Sequence, residues 1–198
     1  MSIRIYVEGG FEGSTMSNCR RAFGTFIGKV IPPGSFKVIA SGSRQNAFDD
    51  FCTALRQYPG DYVILLVDSE IPVTATAWQH LNMRGGDKWP RPALAQDDQA
   101  HLMVQVMEAW FLADQQTLST YYGQGFLRSS LPRQKNIELI DKERLFKALR
   151  HASKPTRKGE YHKTRHGFDL LELINPSLVR AASVRAELLF TVLTSRAV

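Results

Sequence analysis

Residues 62–70 read Tyr-Val-Ile-Leu-Leu-Val-Asp-Ser-Glu, a run of six apolar residues that ends in two acids. A short continuous run rich in Val, Ile and Leu is typical of a strand that is buried on both faces in the middle of a parallel sheet. Asp68 and Glu70 then lie where this strand ends. Ligands bind outside the carboxyl ends of the strands in open α/β sheets, so the pattern indicates a site for a hard cation. The alternative is that Asp68 only begins a turn and caps the next helix.

The chain before this strand alternates between strand and helix patterns. The predicted elements are strands at 3–7 and 36–40 and helices at 16–27 and 45–58. A β-α-β-α-β order predicts an α/β fold with a mostly parallel central sheet and right-handed connections. Glu8 directly follows the first strand and precedes Gly9-Gly10, so a second carboxylate is expected at a strand end.

The stretch 100–107 is compatible with two structures. As a strand it is a buried run, followed by a helix that begins around Glu108 and continues to Leu118. Glu108 is then a third carboxylate at a strand end, beside a helix N-terminus where negative charge is favoured. As a helix, the stretch would place His101, Gln105 and Glu108 on one polar face. We favour the strand.

The C-terminal part is expected to be helical. We predict an α/β domain over residues 1–120 and a helical extension over 121–198 that packs on it, so that the chain forms one compact unit. Two short helices, separated by Asn175-Pro176, are predicted after residue 170.

Between residues 150 and 166, nine of seventeen residues are Lys, Arg or His and one is acidic. This basic run is either a solvated loop or a phosphate-binding arm in which Tyr161 stacks on a base.

Composition limits the class of protein. The apolar fraction of 43% is typical of a soluble globular protein, and the formal charge of +6 permits an acidic partner such as nucleic acid without requiring one. Cys19 and Cys52 have neither metal-site nor disulfide-framework spacing. Neither a signal sequence nor a membrane-spanning stretch is evident, so we expect a cytoplasmic protein that does not enter a membrane.

Several carboxylates in one crevice favour a divalent cation, because they cannot all stay ionised there without one. Oxygen ligands favour Mg²⁺ or Mn²⁺ over zinc. The predicted metal ligands are Glu8, Asp68, Glu70 and Glu108. Such a site can hold a phosphodiester, activate a water and stabilise the leaving oxygen, and Lys158 and Lys163 are predicted to stabilise the developing charge.

Glu8 and the later Asp68-x-Glu70 pair resemble the Toprim metal-binding signature of topoisomerases, primases and related nucleases. Four blocks also resemble an uncharacterised bacterial family: Val-Glu-Gly-Gly at 7–10, Leu-Leu-Val-Asp-Ser-Glu at 65–70, Met-Glu-Ala-Trp-Phe-Leu-Ala-Asp at 107–114 and Lys-Gly-x-Tyr-x-Lys at 158–163. The chain departs from the Toprim pattern at Glu70, where Asp is usual. Glu12, four residues after Glu8, matches a spacing that some Toprim nucleases show.

The resemblance implies a Mg²⁺-dependent, Toprim-type nuclease that acts in bacterial defence against phage or plasmids beside an ATPase partner. Glu8 would be a general base or a metal ligand, and Asp68 and Glu70 would be ligands. Glu108 would be a further ligand or would orient the site. Two alternatives remain open at this point. One is an adaptor without catalysis, which binds nucleic acid through the basic run and docks on the ATPase. The other is an enzyme that transfers phosphoryl or nucleotidyl groups to a small molecule.

Overall fold

The computed structural model describes residues 2–10 and 13–197, so Glu12 lies outside the described residues. The strands are β1 Ile3–Val7, β2 Phe36–Ala40, β3 Tyr62–Asp68 and β4 Ala100–Met103. The α-helices are α1 Gly13–Gly28, α2 Arg44–Gln57, α3 Ala77–Met83, α4 Gln115–Tyr122, α5 Lys142–Ser153, α6 Lys163–Leu173, α7 Pro176–Ala182 and α8 Val184–Arg196. Short 3₁₀ helices cover Asp97–Gln99, Met107–Asp114, Arg128–Ser130 and Ile137–Leu139.

The four strands form one parallel sheet in the order β2-β1-β3-β4. The predicted α/β class with a parallel central sheet is therefore confirmed. In this order the chain passes outward from β1 to β2 and then returns to the other side of β1 with β3. The point between β1 and β3 is thus a topological switch point, where the connecting segments diverge and open a crevice at the carboxyl ends of the strands.

Both faces of the sheet are covered by apolar side chains. Alternate residues of β3 enter two different core clusters: Ile64 and Leu66 pack on one side, and Leu65 and Val67 on the other. The first cluster contains buried side chains of α1, α6 and α8, and the second contains side chains of α2 and α3. This two-sided burial explains why β3 has no alternating polar pattern, since every one of its residues is buried.

The predicted strand over 100–107 is wrong beyond Met103, where β4 ends. The next residues leave the ladder, although Gln105 still accepts a hydrogen bond from the backbone N–H of Glu70 (2.7 Å). The predicted helix over 108–118 is a 3₁₀ helix as far as Asp114, followed by α4. Nearly all of the 3₁₀ helix is buried, so its sequence has no amphipathic period. Asp114 separates the two helices because its side chain caps α4 at the N–H of Thr117 (3.1 Å).

Where two short helices were predicted near the C-terminus, the described residues form three, α6, α7 and α8, and the first begins at Lys163 rather than at residue 170. The break at Asn175-Pro176 is present, and Asn175 caps α7. A second break occurs at Ser183, whose hydroxyl caps α8 by accepting a hydrogen bond from the N–H of Ala186 (3.0 Å). Buried residues of α5, α6 and α8 share a core cluster with β1 and β3, so the helical extension packs on the sheet. Among the described residues, no helix combines the length and the apolar character that crossing a bilayer requires.

Candidate metal site and its cationic surroundings

Three of the four predicted acids meet at the switch point between β1 and β3. Glu8, Asp68 and Glu70 each offer a carboxylate oxygen, and these oxygens all lie within 4.8 Å of one another. The parallel register fixes this arrangement, because Val7 pairs with Leu66 and the two strands end side by side. The backbone N–H of Asp68 also donates a hydrogen bond to Glu8 Oε1 (3.0 Å), which holds the first carboxylate against the end of β3.

Asp68 is the most deeply placed member of the cluster, with 3% of its surface exposed. Its Oδ1 accepts a hydrogen bond from the backbone N–H of Met107 (2.7 Å). Burial, and then the neighbouring charge of Glu8, raise the pKa of Asp68 well above its ordinary value, although Lys163 and the Met107 N–H act in the opposite direction. A carboxylate in this environment lacks the water that would normally stabilise its charge, so a divalent cation is a suitable counter-charge.

Glu70 adopts a left-handed backbone conformation, with φ of 66°. This conformation is uncommon for residues other than glycine, and such residues are found preferentially at functional sites. The carboxylate is in direct contact with the ammonium group of Lys142. Burial alone would raise the pKa of Glu70, but the hydrogen bond and the charge of Lys142 outweigh it and lower that pKa. Glu70 is therefore ionised and already shares its negative charge with a lysine.

Glu108 does not lie at a strand end, because the chain leaves the sheet five residues before it. It is fully buried in the first turn of the 3₁₀ helix Met107–Asp114 and is not one of the three clustered acids. Its Oε1 accepts a hydrogen bond from the hydroxyl of Tyr161 (3.1 Å), and its Oε2 has no hydrogen-bond partner among the described residues. Glu108 is thus outside the cluster, and the ammonium group of Lys163 lies within 4 Å of both Glu108 and Asp68.

Lys163 and Lys158 occupy different places. The ammonium group of Lys163 lies 3.9 Å from Asp68 Oδ2 and 3.6 Å from Glu108 Oε1. Burial would lower the pKa of Lys163, but the charges of Glu108 and Asp68 raise it. Lys158 is not part of this group, because its ammonium group lies over the ring of Tyr121, 4.4 Å from the centroid. The basic run therefore contributes one lysine to the acidic cluster.

Tyr161 does not serve as the exposed stacking ring that the basic run suggested. Only 5% of its surface is exposed, and its hydroxyl is directed to Glu108. Burial, followed by the charge of Glu108, raises the pKa of Tyr161 far above its ordinary value, so the hydroxyl remains a donor at any physiological pH. The tyrosine supports the buried carboxylate rather than a nucleic-acid base.

Two cations at the site were not predicted from the sequence. Arg44, the first residue of α2, donates hydrogen bonds to Glu8 Oε2 (3.2 Å) and to the backbone carbonyl of Asp68 (2.5 Å), while two other nitrogens of its guanidinium bind both oxygens of Asp87. Lys142, the first residue of α5, contacts Glu70. Each member of the acidic cluster is therefore in contact with, or within 4 Å of, a basic side chain.

A cavity of about 550 Å³ opens onto the cluster. Glu8, Asp68, Glu70, Arg44 and Lys163 contribute to its lining. Apolar side chains complete the wall; they are Phe23, Met103, Met107 and Phe168. Such a wall keeps part of the cavity dry and strengthens electrostatic interactions within it. The carboxylates, the lysine and the space for a ligand are thus in one place.

Lys142→Gln is expected to tighten the binding of Mn²⁺. Lys142 competes with a metal ion for the carboxylate of Glu70, and its removal leaves that ligand free. A partly exposed ion pair contributes up to about 1 kcal/mol, which corresponds to a roughly two- to fivefold lower Kd. Calorimetric titration with Mn²⁺ measures this change, and the exposed Lys135→Gln is the matched control. Weaker binding by Lys142→Gln would instead show that the lysine supports the metal-binding geometry of Glu70.

A family model described as a domain of unknown function (DUF4276) matches residues 7–194. The match begins at Val7, the last residue of β1, and includes the three clustered acids, Lys163 and nearly all of α8. The chain matches no curated protein and no solved structure. The support for a function therefore comes from the geometry of the site.

Proposed function

The chain belongs to the DUF4276 family, and we propose that it is a Mg²⁺- or Mn²⁺-dependent enzyme that cleaves phosphodiester bonds in nucleic acid. The observation that carries the proposal is the convergence of Glu8, Asp68 and Glu70, whose carboxylate oxygens lie within 4.8 Å of one another at the switch point of a parallel sheet. The donor set consists of carboxylate oxygens, which favours Mg²⁺ or Mn²⁺ over zinc.

Each residue of the cluster has a role in the proposed reaction. Asp68 and Glu70 are metal ligands, and Glu8 is either a third ligand or the base that accepts a proton from the attacking water. A bound divalent ion supplies Lewis-acid activation of the phosphodiester and of that water. Lys163, which lies beside Asp68, places a positive charge where the negative charge of the phosphoryl group increases during cleavage.

Glu108 is proposed as a residue that orients the site rather than as a direct ligand, because it is fully buried and is not one of the three acids that converge. Its Oε1 fixes the hydroxyl of Tyr161 and lies close to the ammonium group of Lys163. The negative charge of Glu108 thereby favours one position of Lys163. Lys158 is assigned no role in the reaction, because its ammonium group lies over the ring of Tyr121 and outside the acidic cluster.

The resemblance to Toprim nucleases supports the same activity, and we carry over from it the proposals of an ATPase partner and a role in bacterial defence. The order β2-β1-β3-β4, with acids after β1 and β3, is compatible with that resemblance.

Both cysteines are unpaired and Cys19 is buried, which supports the proposed cytoplasmic setting.

The experiment that tests this function is cleavage of labelled DNA and RNA by the purified protein in Mn²⁺, in Mg²⁺ and in EDTA. We expect cleavage that needs the divalent ion and that is absent from Asp68→Ala, prepared in the same way. Equal residual activity in Asp68→Ala would identify a contaminating nuclease. If cleavage is absent but nucleic acid binds, the result would contradict the enzyme and favour the adaptor.

A further inference from the structure

A second cavity, of about 770 Å³, lies in the helical extension. Its wall is formed by two stretches of chain, residues 129–134 and one face of α5. The basic residues of the wall are Arg133, Arg144, Lys147 and His151. The other polar residues are Ser129, Ser130 and Gln134. Among the described residues, the lining contains three permanent cations and several hydrogen-bond donors and no acid.

The position of these cations on α5 follows from helix geometry. Arg144, Lys147 and His151 occupy positions i, i+3 and i+7, which lie on one face of a helix. The opposite face carries Leu145 and Leu149, which are fully buried in the core. Packing of the apolar face therefore holds the basic face toward the cavity.

These basic side chains have no acidic partners in the described part of the chain. Arg133, Arg144 and Lys147 form no ion pair there, whereas the basic residues at the metal site, Arg44, Lys142 and Lys163, all do. Unpaired cations around a concave surface create a positive potential that concentrates anions. Arginine, lysine, serine and glutamine side chains are also donors that commonly contact phosphate oxygens.

Helix α5 connects this cavity to the metal site. Lys142, its first residue, contacts Glu70, and the residues that line the cavity follow from 144 to 151. With a rise of 1.5 Å per residue, the cationic face begins about 3 Å and ends about 13 Å along the helix axis from Lys142. Arg144, Lys147 and His151 lie about 140–180° around the helix axis from Lys142, so they extend the positive surface from the N-terminal end of α5 to its other side.

We propose that this cavity binds the phosphate backbone of the nucleic acid whose scissile phosphodiester is held at Glu8, Asp68 and Glu70. The proposal rests on the proposed function for the identity of the ligand. Arg144 and Lys147 contact phosphates along α5, and Arg133 contacts them from the segment 129–134. The cavity reads no bases, because its contacts are to the backbone, and it determines where the strand lies relative to the metal site.

The experiment is a binding titration in EDTA, where no cleavage occurs, with a fluorescent 25-nucleotide DNA strand and with the same sequence as RNA. The cavity variant is Arg144→Gln with Lys147→Gln. The matched control is Lys37→Gln with Arg56→Gln, which removes two exposed charges elsewhere. Kd is measured at several salt concentrations, and the melting temperature of each variant verifies that it is folded.

The cavity variant is expected to bind about tenfold or more weakly at 0.1 M salt, with the slope of log K against log salt reduced by about 1.4, the change expected for two lost contacts to a single strand. The control is expected to retain the wild-type slope. An unchanged slope in the cavity variant, or an equal loss in the control, would overturn the proposal. The wild-type cleavage assay separates this outcome from the proposed function. Binding through the cavity without cleavage contradicts the nuclease alone, and cleavage with an unchanged slope contradicts the cavity alone.

Discussion

Asp68→Asn is expected to eliminate metal-dependent cleavage and, in EDTA at neutral pH, to raise the melting temperature of the protein. Both effects have one cause. A nearly buried carboxylate beside two others is costly when no metal is present, and the same carboxylate is a ligand when a metal binds. The asparagine keeps an oxygen that can accept the hydrogen bond from the N–H of Met107, so the loop geometry is preserved.

The sign of the stability effect follows from proton linkage. The pKa of Asp68 is raised in the folded protein by burial and by Glu8, so between the ordinary pKa and the raised one the folded state binds more protons than the unfolded state. Stability therefore falls as the pH rises through that interval, and the penalty is complete above the raised pKa. Asp68→Asn does not have this penalty. For a chain of this length, each kcal/mol that is recovered raises the melting temperature by about 2–4 °C.

The measurement is thermal unfolding of both proteins in EDTA and in Mn²⁺, from about pH 4 to pH 8. The advantage of Asp68→Asn in EDTA is expected to disappear at the acidic end, where Asp68 is protonated. Mn²⁺ is expected to stabilise the wild type and not the variant. The exposed Asp50→Asn is the control and is expected to melt like the wild type in each condition. A lower melting temperature of Asp68→Asn in EDTA at neutral pH would show that Lys163 and the Met107 N–H already compensate the buried charge.

The three clustered acids could be predicted because their positions depend on sheet topology. An apolar strand that ends in Asp68-x-Glu70 and a second that ends at Glu8 are visible in the sequence, and parallel pairing brings such ends together. The structure places their ligand atoms within 4.8 Å of one another. The left-handed conformation of Glu70 could not be predicted from the sequence, since a glutamate carries no sequence signal for positive φ.

The cations around the cluster could not be predicted in the same way. Arg44 and Lys142 reach the acids from the first residues of two helices, and Lys142 is 72 residues from Glu70. Their positions depend on how the helices pack, which hydrophobic periodicity does not specify. The prediction that Glu108 lies at a strand end was wrong because a wholly buried segment has neither the period of a strand nor that of a helix.

Lys163→Met is expected to lower kcat for nucleic-acid cleavage by about 10²–10³-fold while the protein still binds Mn²⁺. The ammonium group lies within 4 Å of Asp68 and Glu108, yet 60% of the side chain is exposed, so it can also contact a phosphate in the cavity. Loss of a preorganised charge at the reacting group affects the transition state more than the ground state. The effect should therefore appear in kcat rather than in KM.

Lys158→Met is the matched control, because it removes the same charge five residues away. Lys158 lies over the ring of Tyr121 and outside the acidic cluster, so its loss should change kcat by less than about threefold. Single-turnover rates at saturating Mn²⁺, with calorimetric Mn²⁺ titrations of both variants, separate the chemical step from metal binding. An equal loss of rate in both variants would show that the basic run acts only through general attraction of nucleic acid. If Lys163→Met melts at a lower temperature but retains kcat, the lysine serves only to neutralise Glu108. The charge on the phosphoryl group must then be stabilised by Arg44 or by the metal alone.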